Sequence, residues 1–300
     1  MERYNITYDE IYEFVKSSCT TVSPDCLYLL NDYKNKETNT AARELLQSMI
    51  DNVAQANQLD KPVCQSPGYP TIYIRFGDNF FPPQLLNFLT DALVSATKQG
   101  YLRPSIVDSL SRNNPGDNSG DGVPNFELQY RPGQEYLEVI ISFKGCGAEL
   151  GNVMKIMTPA QMGNNLSGFE RLVYATVAEA GGIPCPPIAL GIGIGGQMDV
   201  ACKLSREAIS TRHWLDENPD PRLNELEKRL LEGINSLGIG PAGTGGRTTC
   251  LAVKIGMKAT HTAIFPVAIN FHCWVARRKG VRIYADGRRE YLFNGGLGNE

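Results

Sequence analysis

The sequence predicts a mixed α/β fold: a single unit with N-terminal helices and a mixed, largely antiparallel sheet flanked by helices. Three observations predict it. Residues 1–60 place apolar side chains three and four apart, which is helical spacing. From residue 71 onward, short apolar runs bounded by Gly and Pro recur and read as strands. Amphipathic segments of helix length separate them, and no internal repeat or linker divides the chain, so one domain over residues 1–300 is expected.

The elements follow in order. "DEIYEFVKSS" and "AARELLQSMIDNVAQANQL" read as helices, and "SPDCLYLLNDY" opens with Ser23 as a cap and Pro24 at the first helical position. "TIYIRF" (71–76) reads as a strand, and "PPQLLNFLTDALVSATKQG" as a helix stopped by Gly100. Residues 111–124, "SRNNPGDNSGDGVP", form a long polar loop of the kind that often carries function. "FELQYRPGQEYLEVIISF" reads as a β-hairpin turning at "RPGQ". A helix near 168–180 precedes the glycine-containing strand "IALGIGI" and a helix near 198–210. "DPRLNELEKRLLEGINSLG" is an amphipathic helix with charges on its outer face. "CLAVKI", "AIFPVAINF", "VRIYAD" and "RREYLF" supply the last strands.

The chain has 300 residues, 42% hydrophobic and 20% charged, which is ordinary globular composition. A net charge of −3 provides no general attraction to nucleic acid or anionic lipid. "MERYNITYDE" lacks the apolar core of a secretory signal. The longest apolar stretch, "AIFPVAINFHCWVA", is interrupted by Asn270 and His272 and falls short of the roughly 20 residues that span a bilayer. A soluble, cytoplasmic protein with no nucleic-acid or membrane partner is expected.

Eight cysteines occur, at positions 19, 26, 64, 146, 185, 202, 250 and 273. Without an export signal, reduced thiols or metal ligands are favoured over disulfides. No C-x-x-C is present, so a zinc ribbon or dithiol redox site has no support. Three cysteines share an unusual setting. Cys64 lies in the sharp loop "KPVCQSPGYP", Cys185 in "PCPP", and Cys273 at the end of an apolar strand in "NFHCWVARR". Each could be a packed free thiol. Each could also project a thiolate, and soft thiolates select zinc or iron–sulfur groups. Three cysteines on a four-iron cluster would leave one iron open as a Lewis acid. Cys19, Cys26, Cys202 and Cys250 fit packing roles.

The motifs "GYLRPSIVDSL", "NPGDNSGDGVP", "KGCGAELGNVMKIMTPA", "CPPIALGIGIGG", "NPDPRLNELEKRLLEGINSLGIGPAGTGGRTT" and "ATHTAIFPVAINFHCWVARR" run nearly the whole chain. In order and spacing the sequence resembles the α chain, or N-terminal half, of iron–sulfur hydro-lyases of the class I fumarase and L-tartrate dehydratase type. That resemblance implies a [4Fe–4S] cluster held by Cys64, Cys185 and Cys273. It implies a small hydroxy-dicarboxylate as substrate, and a separate β subunit carrying the rest of the site, in a higher-order hetero-oligomer.

The same resemblance assigns further residues. Gln65 matches a substrate-contacting glutamine. Arg103 matches an arginine that clamps a carboxylate, a task suited to the planar guanidinium fork. Lys144, Gly145, Cys146 and Gly147 match a substrate-binding loop whose glycines let backbone N–H groups approach an anion. His261, twelve residues before Cys273, matches a catalytic histidine. The family usually has Asp-Thr where Ser66-Pro67 stands, so Ser66 occupies a catalytic position without a carboxylate. Two other readings accompany this one. A non-catalytic cluster-bearing subunit would serve assembly or iron and oxygen sensing. A zinc hydrolase built on His272 and Cys273 lacks a second ligand at zinc spacing. "GIGIGG" lacks G-x-G-x-x-G spacing, which argues against a dinucleotide site.

Overall fold

The computed structural model describes residues 4–64, 66, 68–78, 82 and 84–294. The helices are α1 (Tyr8–Thr20), α2 (Pro24–Lys36), α3 (Thr40–Gln58), α4 (Gln84–Lys98), α5 (Cys146–Leu150), α6 (Pro159–Met162), α7 (Ser167–Ala180), α8 (Met198–Thr211) and α9 (Pro221–Ser236). The strands are β1 (Tyr69–Phe76), β2 (Asn125–Tyr130), β3 (Tyr136–Lys144), β4 (Val153–Met157), β5 (Ile188–Gly196), β6 (Cys250–Thr260), β7 (Phe265–His272), β8 (Arg277–Tyr284) and β9 (Arg289–Tyr291). Local chemistry sets several ends. Thr7 caps α1 by accepting the Glu10 N–H, and Asp220 caps α9 ahead of Pro221. Among the described residues no helix is long and apolar enough to cross a membrane.

The residues group into two compact units, neither a single run of chain. The first comprises residues 1–24, 51–145 and 275–294. Its sheet has the order β2-β1-β3-β8-β9. Ile72, Ile141, Phe143 and Val281 project from one sheet face against Phe14 and Val15 of α1 and Leu85 and Leu89 of α4. The second comprises residues 25–50 and 146–274, with sheet order β4-β7-β5-β6. The pairs β1–β2 and β5–β6 are parallel, and the remaining pairs are antiparallel. The mixed, largely antiparallel pairing expected from sequence is therefore present, distributed over two sheets.

One local expectation fails. Residues 125–144 do not form a hairpin, because β1 lies between β2 and β3 and pairs with both. The "RPGQ" segment wraps the end of β1 instead: Arg131 N–H donates to Phe76 O at 2.8 Å, and Gln134 Nε2 donates to Arg75 O at 2.9 Å. Strand β4, "VMKIM", is also present and lies at a sheet edge, where its exposure does not alternate and so gives only a weak sequence signal.

The glycines of "IALGIGI" have a packing use. A Cβ at Gly191 would lie 1.9 Å from Ser205 O, and one at Gly193 would lie 2.0 Å from Ala201 O. Both oxygens belong to α8, so the bare positions let that helix lie directly on β5. Leu190 and Ile192, pointing to the opposite face, join Val173, Leu230 and Val253 in the core with α7 and α9.

Candidate functional site

In the first unit, the loop after α3 is pinned immediately before Cys64. Val63 N–H donates to Cys19 O at 3.1 Å, and Asn52 Nδ2 donates to Val63 O at 3.0 Å. Cys64 is half-buried, and the Ser66 N–H points to its Sγ at 3.4 Å. The Ser66 carbonyl accepts a hydrogen bond from Arg277 Nη2, a side chain only 1% exposed. Gly68 has φ +72°, and a Cβ there would sit 1.5 Å from Lys144 O, so only glycine permits this approach. A Cβ at Gly145 would be 3.2 Å from Ser66 Oγ. The structure thus brings Ser66 and Gly68 against Lys144 and Gly145, two positions expected to bind substrate. Lys144 is buried, and Ser66 is exposed. Gln65 and Pro67 lie outside the described residues.

Arg103 is exposed, and its backbone is held by a residue that sequence reasoning did not single out. Asn118, buried within the polar loop at 111–124, has φ +60°, a conformation Asn tolerates. Its Oδ1 accepts Ser105 N–H at 2.8 Å and Ile106 N–H at 3.2 Å. Its Nδ2 donates to Arg103 O and Thr97 Oγ1, both at 3.0 Å. The loop also lines a cleft of about 950 Å³ with Tyr69, Ser105 and Asp108. An Asn followed by small residues in a Gly-rich loop was the available signal. Its partners, up to 21 residues away, were not legible.

In the second unit, Cys185 is exposed with φ +56° and precedes the cis Pro186-Pro187 bond. Cys273 is half-buried just after β7. Trp274 N–H approaches Cys185 O at 3.5 Å, which brings these two cysteine loops side by side. Cys146 is exposed at the start of α5, and a Cβ at Gly147 would meet Ile183 O at 2.4 Å. His261 is exposed in the β6–β7 turn, its Nδ1 accepting Ala263 N–H at 3.1 Å. His272 is fully buried, its Nδ1 3.0 Å from Cys273 O and its ring edge-on to Trp214 at 5.7 Å.

The other buried thiols contrast with these. Burial pushes both Cys19 and Cys250 up to about 12, so they stay neutral, and each S–H lies against a backbone carbonyl. Cys26 Sγ donates to Trp274 O at 3.2 Å. None of the eight cysteines is in a disulfide. Cys64, Cys185 and Cys273 sit on loops with at least partial exposure, and soft sulfur donors of this kind suit an iron–sulfur group. Among the described residues no group of three or more His, Cys, Asp and Glu side chains is arranged to hold a metal ion.

Residues 8–282 match the family model described as fumarate hydratase (Fumerase). A protein of Methanocaldococcus jannaschii named "Putative L(+)-tartrate dehydratase subunit alpha" is 34% identical over 284 residues, covering 93% of this chain and 98% of its own. The "L(+)-tartrate dehydratase subunit alpha" of Escherichia coli strain K12 is 30% identical, covering 92% of this chain and 90% of its own. A Geobacillus stearothermophilus protein named "Putative fumarate hydratase class I" is 32% identical across 92% of this chain, but only 54% of its own length is matched.

Proposed function

The chain belongs to the fumarate hydratase (Fumerase) family of hydro-lyases, and on that premise we propose that it is the α subunit of a cytoplasmic [4Fe–4S]-dependent dehydratase acting on a small hydroxy-dicarboxylate. The observation that carries the cofactor reading is the division among the thiols. Buried Cys19 and Cys250 are spent on carbonyls, whereas Cys64 sits on a surface loop and receives an N–H. Cys64, Cys185 and Cys273 are the proposed ligands. Bound there, the cluster supplies a Lewis-acidic iron for a hydroxyl and a carboxylate.

The chain's own residues do the remaining work. Dehydration breaks a C–O bond and the C–H bond on the neighbouring carbon, whose electrons become the C=C bond. Arg103 holds a carboxylate through its guanidinium fork, with Gln65 and the backbone at 144–147 contacting the same substrate. His261 exchanges a proton through Nε2. Ser66 carries no charge near neutral pH and does not act as a carboxylate base. The proton on carbon therefore goes to a group outside this chain, on a separate β subunit. The match to about half of the Geobacillus protein, against nearly all of the Methanocaldococcus one, supports a two-chain enzyme. Higher-order hetero-oligomers of the two chains follow from the same reading.

The experiment is anaerobic co-purification with the β chain, iron reconstitution, and a screen of malate, fumarate and the tartrates. Turnover of one of them is expected, with little from this chain alone. The absence of a carboxylate at Ser66 favours one second reading, a cluster-bearing subunit without catalysis. Iron binding without turnover of any tested acid supports that second reading instead.

A further inference from the structure

Arg277 opens β8, four residues beyond Cys273 in the chain, and is buried to 1% exposure. Its Nη2 donates to the Ser66 carbonyl. Its Nε and Nη1 are buried and have no hydrogen-bond acceptor among the described residues, and no carboxylate there forms an ion pair with it. Burial holds the Cys19 thiol up near 12, and Arg277 draws it downward by a smaller amount. Three other inward-facing cations have carboxylate partners. Lys254 has Asp216 at 2.8 Å, Arg212 has Asp216 at 2.7 Å, and Arg75 has Glu138 at 2.8 Å.

A buried guanidinium is tolerated when negative charge shares its surroundings. The loop that Arg277 grips is where this chain would carry such charge. Ser66 faces two ways: its carbonyl takes the guanidinium, and its N–H donates to Cys64 Sγ. The link from Arg277 to Cys64 therefore runs through one residue's backbone.

We propose that Arg277 is the positioning residue of the Cys64 loop and the internal counter-cation of the anionic iron–sulfur group that Cys64 helps hold. This rests on the cofactor reading above. Arg277 touches no substrate in this account. It fixes the ligand loop through Ser66 O and favours electron density on the group.

The test uses the αβ complex, reconstituted anaerobically, with Arg277→Gln and Arg277→Lys. Two quantities are read: iron loss to a chelator, and the midpoint potential followed by electron paramagnetic resonance. In Arg277→Gln, iron should leave about tenfold faster, the scale of supporting residues around a metal. The potential should fall, because removing a positive charge disfavours the more reduced, more negative state. Arg277→Lys keeps the charge without the fork, so it should restore the potential and only part of the retention. An unchanged potential in a folded Arg277→Gln complex overturns the counter-cation role. Wild-type iron retention in either variant overturns the positioning role, and Arg277→Lys decides this alone if Arg277→Gln does not fold. A wild-type complex that binds no iron removes the cofactor reading and this proposal together. Iron bound equally by all three removes this proposal only.

Discussion

Asn118 Nδ2 donates to the Arg103 carbonyl at 3.0 Å while its Oδ1 accepts the N–H groups of Ser105 and Ile106. One buried amide thus fixes the backbone on both sides of Pro104. Asn118→Ala leaves several of these groups unpaired and should destabilise the protein by about 2 kcal/mol. It should also raise KM for the dicarboxylate by about tenfold to a hundredfold, since small misplacements of a positioning group are costly. Thermal melts and steady-state kinetics read the two effects separately. A destabilised variant with wild-type KM would show that Arg103 does not depend on this anchor.

Ser66 gives a second prediction. General acid–base assistance is typically worth about 10²–10⁴ in rate. Fumarate hydration by the wild-type complex should therefore be poor relative to the true substrate. Ser66→Asp combined with Pro67→Thr should raise it. Efficient wild-type fumarate hydration, unaffected by the double substitution, contradicts the prediction.

Oxygen sensitivity follows from a cluster with three thiolate ligands and one accessible iron. Air should bleach the complex and abolish turnover, and anaerobic iron with a reductant should restore both. The check is visible absorbance recorded alongside activity. A colourless, air-stable, active complex argues against the cofactor.

Glu37 provides a pH prediction. It is 3% exposed and accepts hydrogen bonds from the backbones of Asn39, Arg247 and Thr248 and from Thr248 Oγ1. Burial alone would raise its carboxyl, but these donors hold it below the usual range. A lowered folded pKa adds stability above the unfolded value and loses it as pH falls through the folded one. Glu37→Gln should cost about 2 kcal/mol at neutral pH, in line with hydrogen bonds to a charged group. The gap between wild type and variant should close under acid, as read by denaturant melts from pH 7 to below 4. A pH-independent gap would assign the loss to packing.

Local sequence determined the helices, because caps, Pro at first positions and 3.6-residue periodicity act within a turn or two. Thr7, Asp220 and Gly100 therefore behave as their neighbours imply. The motif order likewise sufficed to place the chain in its family. It also separated the loop cysteines from buried Cys19, Cys26 and Cys250, but it grouped Cys202 with these, and that residue is exposed on α8. Strand pairing was different. The "RPGQ" turn looks like a hairpin until β1, some fifty residues earlier, inserts between its arms, since backbone ladders form with whichever strand packs alongside. The glycines of β5 became intelligible only with α8 lying on them. Most of all, nothing local in "ARR" marks either arginine as buried. Only the tertiary structure decided that Arg277 is buried beneath Ser66, because desolvation is set by residues distant in the chain, from Cys19 to Phe143, that no local pattern records.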